Sequence, residues 1–291
     1  MRWRRLERSQ NVEDRRGTRA GAVAGGVGGL GIIGILLALF LGGGSGGGLG
    51  EALQGLGGGT APAQTQEQPP EYQGVDEIED FVRAILGSTE EVWGDVFSDA
   101  GRAYEPATLV LFTGSTPSGC GGANTQVGPH YCPLDKTIYI DREFYGELQR
   151  RFGASGGDFA EAYVMAHEVA HHVQNELGIM DSVRTEQQRN PGQANEYSVA
   201  LELQADCLAG VWAYSIFQQG DVLEQGDIEE ALQVAAAVGD DRIQQATIGQ
   251  INPERWTHGS SQQRVDWFHA GYQSGDPNKC DTFSAQDLHE G

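Results

Sequence analysis

The chain has little positive charge outside its first residues. Nineteen lysines and arginines stand against 41 aspartates and glutamates, which gives a formal net charge of −22. Residues 1–19 hold seven arginines and three acidic residues, so this segment carries +4 and the rest of the chain carries −26. A body this acidic is repelled by phosphate backbones, so nucleic acid is not expected as a partner.

Charged residues are missing altogether from Ala20–Leu41. At 1.5 Å per residue a helix over this run spans roughly 33 Å, enough to cross a bilayer core. The arginines before it predict a cytoplasmic segment 1–19 and an exported body. A cleaved signal peptide is the alternative, but no small-x-small cleavage site follows Leu41 directly. We therefore expect a single-pass membrane protein with an uncleaved transmembrane helix at 20–41 and an extracytoplasmic body.

Internal repeats are also absent from the sequence that follows. Residues 42–74 are rich in glycine and then in Gln, Pro and Thr, a composition typical of a flexible linker. The next segment, of about 210 residues, suits a single catalytic domain, which we place at 75–283 with a tail at 284–291.

Cysteines are few, and none has the CxxC spacing of a cysteine zinc site. Four cysteines in an exported domain indicate two disulfides. The simplest pairing is Cys120 with Cys132 and Cys207 with Cys280, although sequence alone leaves three pairings open.

Hydrophobic periodicity predicts an α+β fold that is mostly helical, with a small β region. Helices are expected from residue 75 to about 97 with a break near Gly87, and in five further segments: 142–152, 159–177, 195–219, 227–238 and 260–273. Strands are expected at Thr108–Thr113 and Lys136–Asp141, and Met180–Gly192 is expected to be a loop.

The motif HEVAHH begins at His167. On a helix, His167 and His171 lie on one face and can bind one metal ion, while Glu168 can reach a water at that ion. A hydrolytic zinc site usually has three protein ligands and one open position.

The best candidate for the third ligand is Glu202, in ELQADC on a predicted apolar helix. Asp206 follows one turn later and can accept the outer N–H of a ligand histidine. Carboxylates in such an apolar run are costly to bury without a charged partner, and a metal ion and a histidine would be those partners.

The pattern HExxH followed by ExxxD resembles that of the gluzincins, zinc peptidases with a glutamate ligand. Further motifs, in chain order, are NVEDRRG, YCP, TIYID, HEVAHHVQ, ELQADCLAGVWA and THGSSQQRVDWFHAGY. With these the chain resembles, nearly from end to end, the bacterial neutral zinc metallopeptidase family (YpfJ-like proteins). The resemblance implies a zincin-like catalytic domain that binds Zn²⁺ and is anchored in the membrane.

The remaining histidines are weaker candidates. His258 and Arg264 lie in a segment similar to one near the active site of CAAX-prenyl-protease-like gluzincins, so either is expected to stabilise an oxyanion or pair with an acidic residue. The alternative for Arg264 is a surface ion pair. His172 points away from the metal face and is not expected to be a ligand, and His269 and His289 are expected to be structural and tail residues.

These residues predict peptide hydrolysis by a zinc-activated water with Glu168 as general base. An edge strand, at Leu109–Phe112 or Ile138–Ile140, is expected to hold an extended peptide or protein substrate. Two alternatives stay open: a non-catalytic envelope module whose zinc is closed by His130 or His258, and an amidase acting on cell-wall peptides.

Overall fold

The computed structural model describes residues 1–17, 76–124, 128–141, 143–144, 146 and 156–285. The described residues form a mostly helical α+β fold with a small sheet, as the sequence predicts. The strands are β1 (Val12–Asp14), β2 (Thr108–Phe112), β3 (Ser115–Ser118), β4 (Gly121–Asn124), β5 (His130–Cys132) and β6 (Thr137–Asp141). The α-helices are α1 (Glu77–Asp99), α2 (Asp158–Glu176), α3 (Ile179–Arg189), α4 (Ala194–Gln218), α5 (Asp227–Ala237), α6 (Asp240–Ile248), α7 (Ser261–Ser274) and α8 (Thr282–Ala285).

Two helical predictions are wrong. Helix α1 continues through Gly87, because this glycine permits a close contact rather than a turn: a Cβ there would lie 2.4 Å from the carbonyl oxygen of Glu7. Most of the segment expected to be a loop, 180–192, belongs to α3. Helix α3 is polar on average and buries only Val183, so it holds too few apolar residues to stand out from a loop in the sequence.

The main sheet has the strand order β1–β2–β6–β5. Strands β1, β2 and β6 are parallel, and β5 runs antiparallel to β6. Because β2 and β6 lie inside the sheet, the prediction that Leu109–Phe112 or Ile138–Ile140 forms an edge is wrong. Within the described residues the edges are β1 and β5.

Residues 1–17, the N-terminal arm, pack against the body and supply strand β1. Trp3, Leu6 and Val12 are 5–7% exposed and join the main hydrophobic core. Arg16 forms an ion pair of 2.9 Å with Asp76, just before α1. This packing disagrees with the prediction that the first residues lie across a membrane from the body. The arginines on which that prediction rests form ion pairs with carboxylates of the body.

Several predicted segments lie outside the described residues. They include the transmembrane helix at 20–41, the linker at 42–74, most of the helix expected at 142–152 and His289 in the tail. Among the helices of the described part of the chain, none is both long and apolar enough for a bilayer crossing.

Helices α4 and α7 cross at close range and hold the site's carboxylates in place. A Cβ on Gly271 of α7 would lie 1.9 Å from the carbonyl oxygen of Cys207, so only glycine allows this approach. The structure pairs Cys207 with Cys280 and Cys120 with Cys132, the pairing that the sequence favours. The first disulfide fastens the chain after α7 to the middle of α4.

Candidate metal centre

Helix α2 positions both histidines of the HEVAHH motif. Its first turn holds Asp158 and Glu161, whose carboxylates suit the positive end of the helix dipole. The helix is buried over its second half, so His167 and His171 are only 2% and 6% exposed. Their ring centroids lie 4.8 Å apart, on the same face of the helix.

Helix α4 brings Glu202 to the two histidines. Oε2 of Glu202 lies 3.2 Å from Nε2 of His167, and Oε1 lies 3.4 Å from Nε2 of His171. One ligand atom from each of the three residues falls within 4.8 Å of the others. Two imidazoles and one carboxylate are a donor set that suits zinc and leaves one coordination position for water or substrate.

Glu168 lies in the same buried region and is 1% exposed. Its Oε1 atom is buried and has no hydrogen-bond partner among the described residues. An unpaired buried carboxylate oxygen is costly, and a water or an ion bound at the site would satisfy it. The residues present therefore fit a bound metal ion with a reactive water beside Glu168.

Asp206, one turn after Glu202, lies behind His167. Its Oδ1 atom is 2.9 Å from Nδ1 of His167, so Nδ1–H donates to the carboxylate and Nε2 is free to face the metal position. Arg264 donates to both oxygens of Asp206, from Nε at 2.8 Å and from Nη2 at 2.9 Å. The hydroxyl of Tyr163 donates to Oδ1 at 2.5 Å.

Arg264 is 1% exposed, so the alternative of a surface ion pair is wrong. A buried guanidinium requires a charged partner, and Asp206 is that partner. The sequence leaves this open because the four residues before Arg264 are all polar, in the run SSQQ, and an arginine after such a run is ordinarily exposed.

Burial alone would raise the pKa of Asp206, but Arg264 and His167 outweigh it and lower the pKa to about 2. For His167, burial lowers the pKa, and Asp206 and Glu202 together raise it to about 9. As with Asp206, burial alone would raise the pKa of Glu202, but His171 and His258 hold this pKa well below its ordinary value. The pocket thus stabilises positive charge, and a metal ion would displace protons from the imidazoles.

His258 is buried, at 3% exposed, in the loop before α7. Asp240 organises this loop, because its Oδ2 accepts hydrogen bonds from the backbone N–H groups of Thr257 at 2.7 Å, His258 at 2.7 Å and Gly259 at 3.1 Å. The Nδ1 atom of His258 lies 2.9 Å from the hydroxyl of Thr257 and 3.6 Å from Oδ1 of Asp240. Asp240 is not predictable as a site residue, because its only signal in the sequence is its place at the start of a helix after a glycine.

The other described histidines lie outside the group of three. His172 makes contacts of 3.1 Å with the Tyr131 hydroxyl and 2.6 Å with the carbonyl oxygen of Glu105, so it ties α2 to the edge strand β5. His130 stacks on Tyr139, and its Nδ1 donates to a backbone carbonyl. His269 is exposed on α7.

Comparison with known proteins gives one family and several relatives. The family described as "Putative neutral zinc metallopeptidase" matches residues 1–283. The chain is similar to "Uncharacterized protein YpfJ" of Escherichia coli K12, with 46% identity over 289 residues, which cover 97% of this chain and 99% of the relative. It is also similar to "Uncharacterized protein Rv2575" of Mycobacterium tuberculosis H37Rv, with 50% identity over 216 residues and 71% of each chain. No solved structure matches.

Proposed function

This chain belongs to the neutral zinc metallopeptidase family, and from that premise we propose that it is a zinc-dependent endopeptidase. His167, His171 and Glu202 hold the metal ion in this proposal, and Glu168 is the general base. The observation that carries it is the buried Oε1 of Glu168, which has no partner among the described residues, on a side chain that directly follows His167 and whose charge acts on His171.

When bound, zinc polarises the scissile carbonyl and lowers the pKa of the attacking water. Glu168 takes a proton from that water and passes it to the leaving amine. Asp206 keeps the proton of His167 on Nδ1, so that Nε2 stays available. His258, held by Asp240 beside Glu202, donates a hydrogen bond to the oxyanion that forms on the carbonyl.

Strand β5 supports a peptide substrate rather than a small molecule. Among the described strands it is an edge of the main sheet, and the hydrogen bond between Tyr131 and His172 places it beside α2. An extended peptide can add to this edge through backbone hydrogen bonds, which favours unfolded or loop segments of proteins.

A closed, non-catalytic zinc site has less support. It requires a fourth side chain at the metal, and in the described part of the chain the ligand group contains only His167, His171 and Glu202. It also gives no role to Glu168.

The proposal is tested with the purified full chain on casein, with peptidoglycan fragments as the competing substrate. We expect casein cleavage that a chelator stops and that His171→Ala removes. His269→Ala, which changes an exposed histidine of α7, is the matched control and should cleave as the wild type does. Cleavage of peptidoglycan fragments alone would refute the peptidase in favour of an amidase.

Membrane attachment through residues 20–41 stays a prediction. The packing of the N-terminal arm on the body bears on which side of the membrane each of them lies. The pair of Arg16 and Asp76 joins the two positions that flank this part of the chain, and one crossing between them would separate the partners. We therefore expect the arm and the body on the same, exported side. Cysteines placed at Arg5 and Asp181, both exposed, should react alike with an impermeant maleimide on intact cells. Labelling of the cysteine at position 181 alone would instead support a single membrane crossing between the arm and the body.

A further inference from the structure

The two histidines at the metal position have different outer partners. His167 is bonded to a buried carboxylate, whereas Nδ1 of His171 lies 2.8 Å from Oε1 of Gln174, one turn along the same helix. Gln174 is 0% exposed. The outer partner of a ligand histidine decides its tautomer and its ring orientation, so this glutamine has a defined task.

Hydrogen bonds fix which way the Gln174 amide faces. Its Nε2 donates to the carbonyl oxygen of Leu201 at 2.7 Å and to Oε1 of Gln204 at 3.0 Å. Both donors are used, so the amide oxygen must face His171 and accept its Nδ1–H. Nε2 of His171 then carries the lone pair and faces Glu202.

Gln204 is held in the same way from the other side. Its Nε2 donates to the carbonyl oxygen of Cys280 at 2.9 Å, which turns its own Oε1 towards Gln174. Cys280 is bonded to Cys207, one turn after Gln204 on α4, and neither cysteine is more than 1% exposed. The disulfide thus fastens the carbonyl group at which this chain of hydrogen bonds ends.

We infer that Gln174 and Gln204 are positioning residues for His171. The hydrogen bonds that run from His171 through Gln174 and Gln204 to the carbonyl oxygen of Cys280 form a relay, and the Cys207–Cys280 disulfide keeps the end of this relay in place. The relay sets the affinity of the site for zinc. This inference rests on the proposed function only in taking the bound ion to be zinc, and it assigns to one disulfide a role that the other does not share. Cys120–Cys132 joins the hairpin of β3 and β4 to β5, on the sheet.

The test is zinc affinity of the metal-free full chain, measured by competition with a chromophoric chelator. Gln174→Leu and Gln204→Leu should each weaken zinc binding by about 10–100-fold, the usual effect of losing an outer partner. Gln187→Leu is the matched control, because Gln187 also bonds to α4, at the Ala194 carbonyl and the Ser198 hydroxyl, but touches no histidine. It should bind zinc as the wild type does.

The disulfides give a second comparison, between Cys207→Ala with Cys280→Ala and Cys120→Ala with Cys132→Ala. Only the first pair of changes should weaken zinc binding. Equal affinities in the two would remove the disulfide from the relay, and wild-type affinity in Gln174→Leu would overturn the relay itself.

Failure of the metal site has a different signature. If the wild type binds no zinc, the proposed function fails, and the relay is judged from nitrogen NMR of His171 in the metal-free protein. A protonated Nδ1 in the neutral ring that is lost in Gln174→Leu supports the relay, and an unchanged tautomer refutes it.

Discussion

The buried pair of Arg264 and Asp206 makes a stability prediction for Arg264→Leu. Two hydrogen bonds of 2.8 and 2.9 Å join these side chains, and neither is more than 1% exposed. Without the guanidinium, the buried carboxylate of Asp206 loses the larger of its two counter-charges and keeps only His167. Breaking one side of such a buried pair costs about 3–5 kcal/mol. We expect the free energy of unfolding to fall by about that amount.

Urea denaturation of the metal-free full chain measures this loss. Arg189→Leu is the control, because it removes a pair of 2.7 Å with Glu186 that is largely exposed, and its cost should stay below about 1 kcal/mol. Arg264→Lys keeps the charge but not the paired donors, so its loss should be intermediate. If Arg264→Leu costs no more than Arg189→Leu, the buried pair does not stabilise the fold as argued.

Two further predictions concern the N-terminal arm and the loop before α7. Gly87→Ala should lower the melting temperature, because the added Cβ would collide with the backbone of the arm. Gly94→Ala, on the same helix, meets no atom within 4 Å and should raise stability by up to about 1 kcal/mol. Equal effects of the two changes in a thermal melt would refute the contact. Asp240→Ala removes the acceptor of three backbone N–H groups, so it should loosen the loop that holds His258 and reduce kcat on casein by about 10–100-fold with zinc content unchanged. An unaltered kcat would contradict a role of this loop in the reaction.

The spacing of residues close together in the chain predicts the helices of the site and the residues on each helix face. The helix that carries His167 and His171 is rich in apolar residues and begins and ends at clear signals, and the spacing of Glu202 and Asp206 places both on one helix face. The structure brings His167, His171 and Glu202 together, as that spacing suggests.

The parts that depend on distant contacts were not predictable in the same way. Arg264 follows a run of four polar residues, and the packing of α7 on α4 buries it. Gly87 looks like a helix breaker until the N-terminal arm is seen against it. Gln174 has no pattern that separates it from a solvent-facing glutamine, and its role follows from bonds to Leu201 and Gln204 on another helix.

If Glu168 is the base of a zinc-dependent peptidase, Glu168→Gln must keep its zinc and lose hydrolysis. Zinc content and casein hydrolysis are measured on the same sample of the purified full chain. The account predicts as much zinc as in the wild type and hydrolysis reduced by at least about 10²-fold, since the change removes the proton acceptor and leaves the metal-binding residues in place. Hydrolysis at the wild-type rate by this zinc-loaded variant would contradict the account.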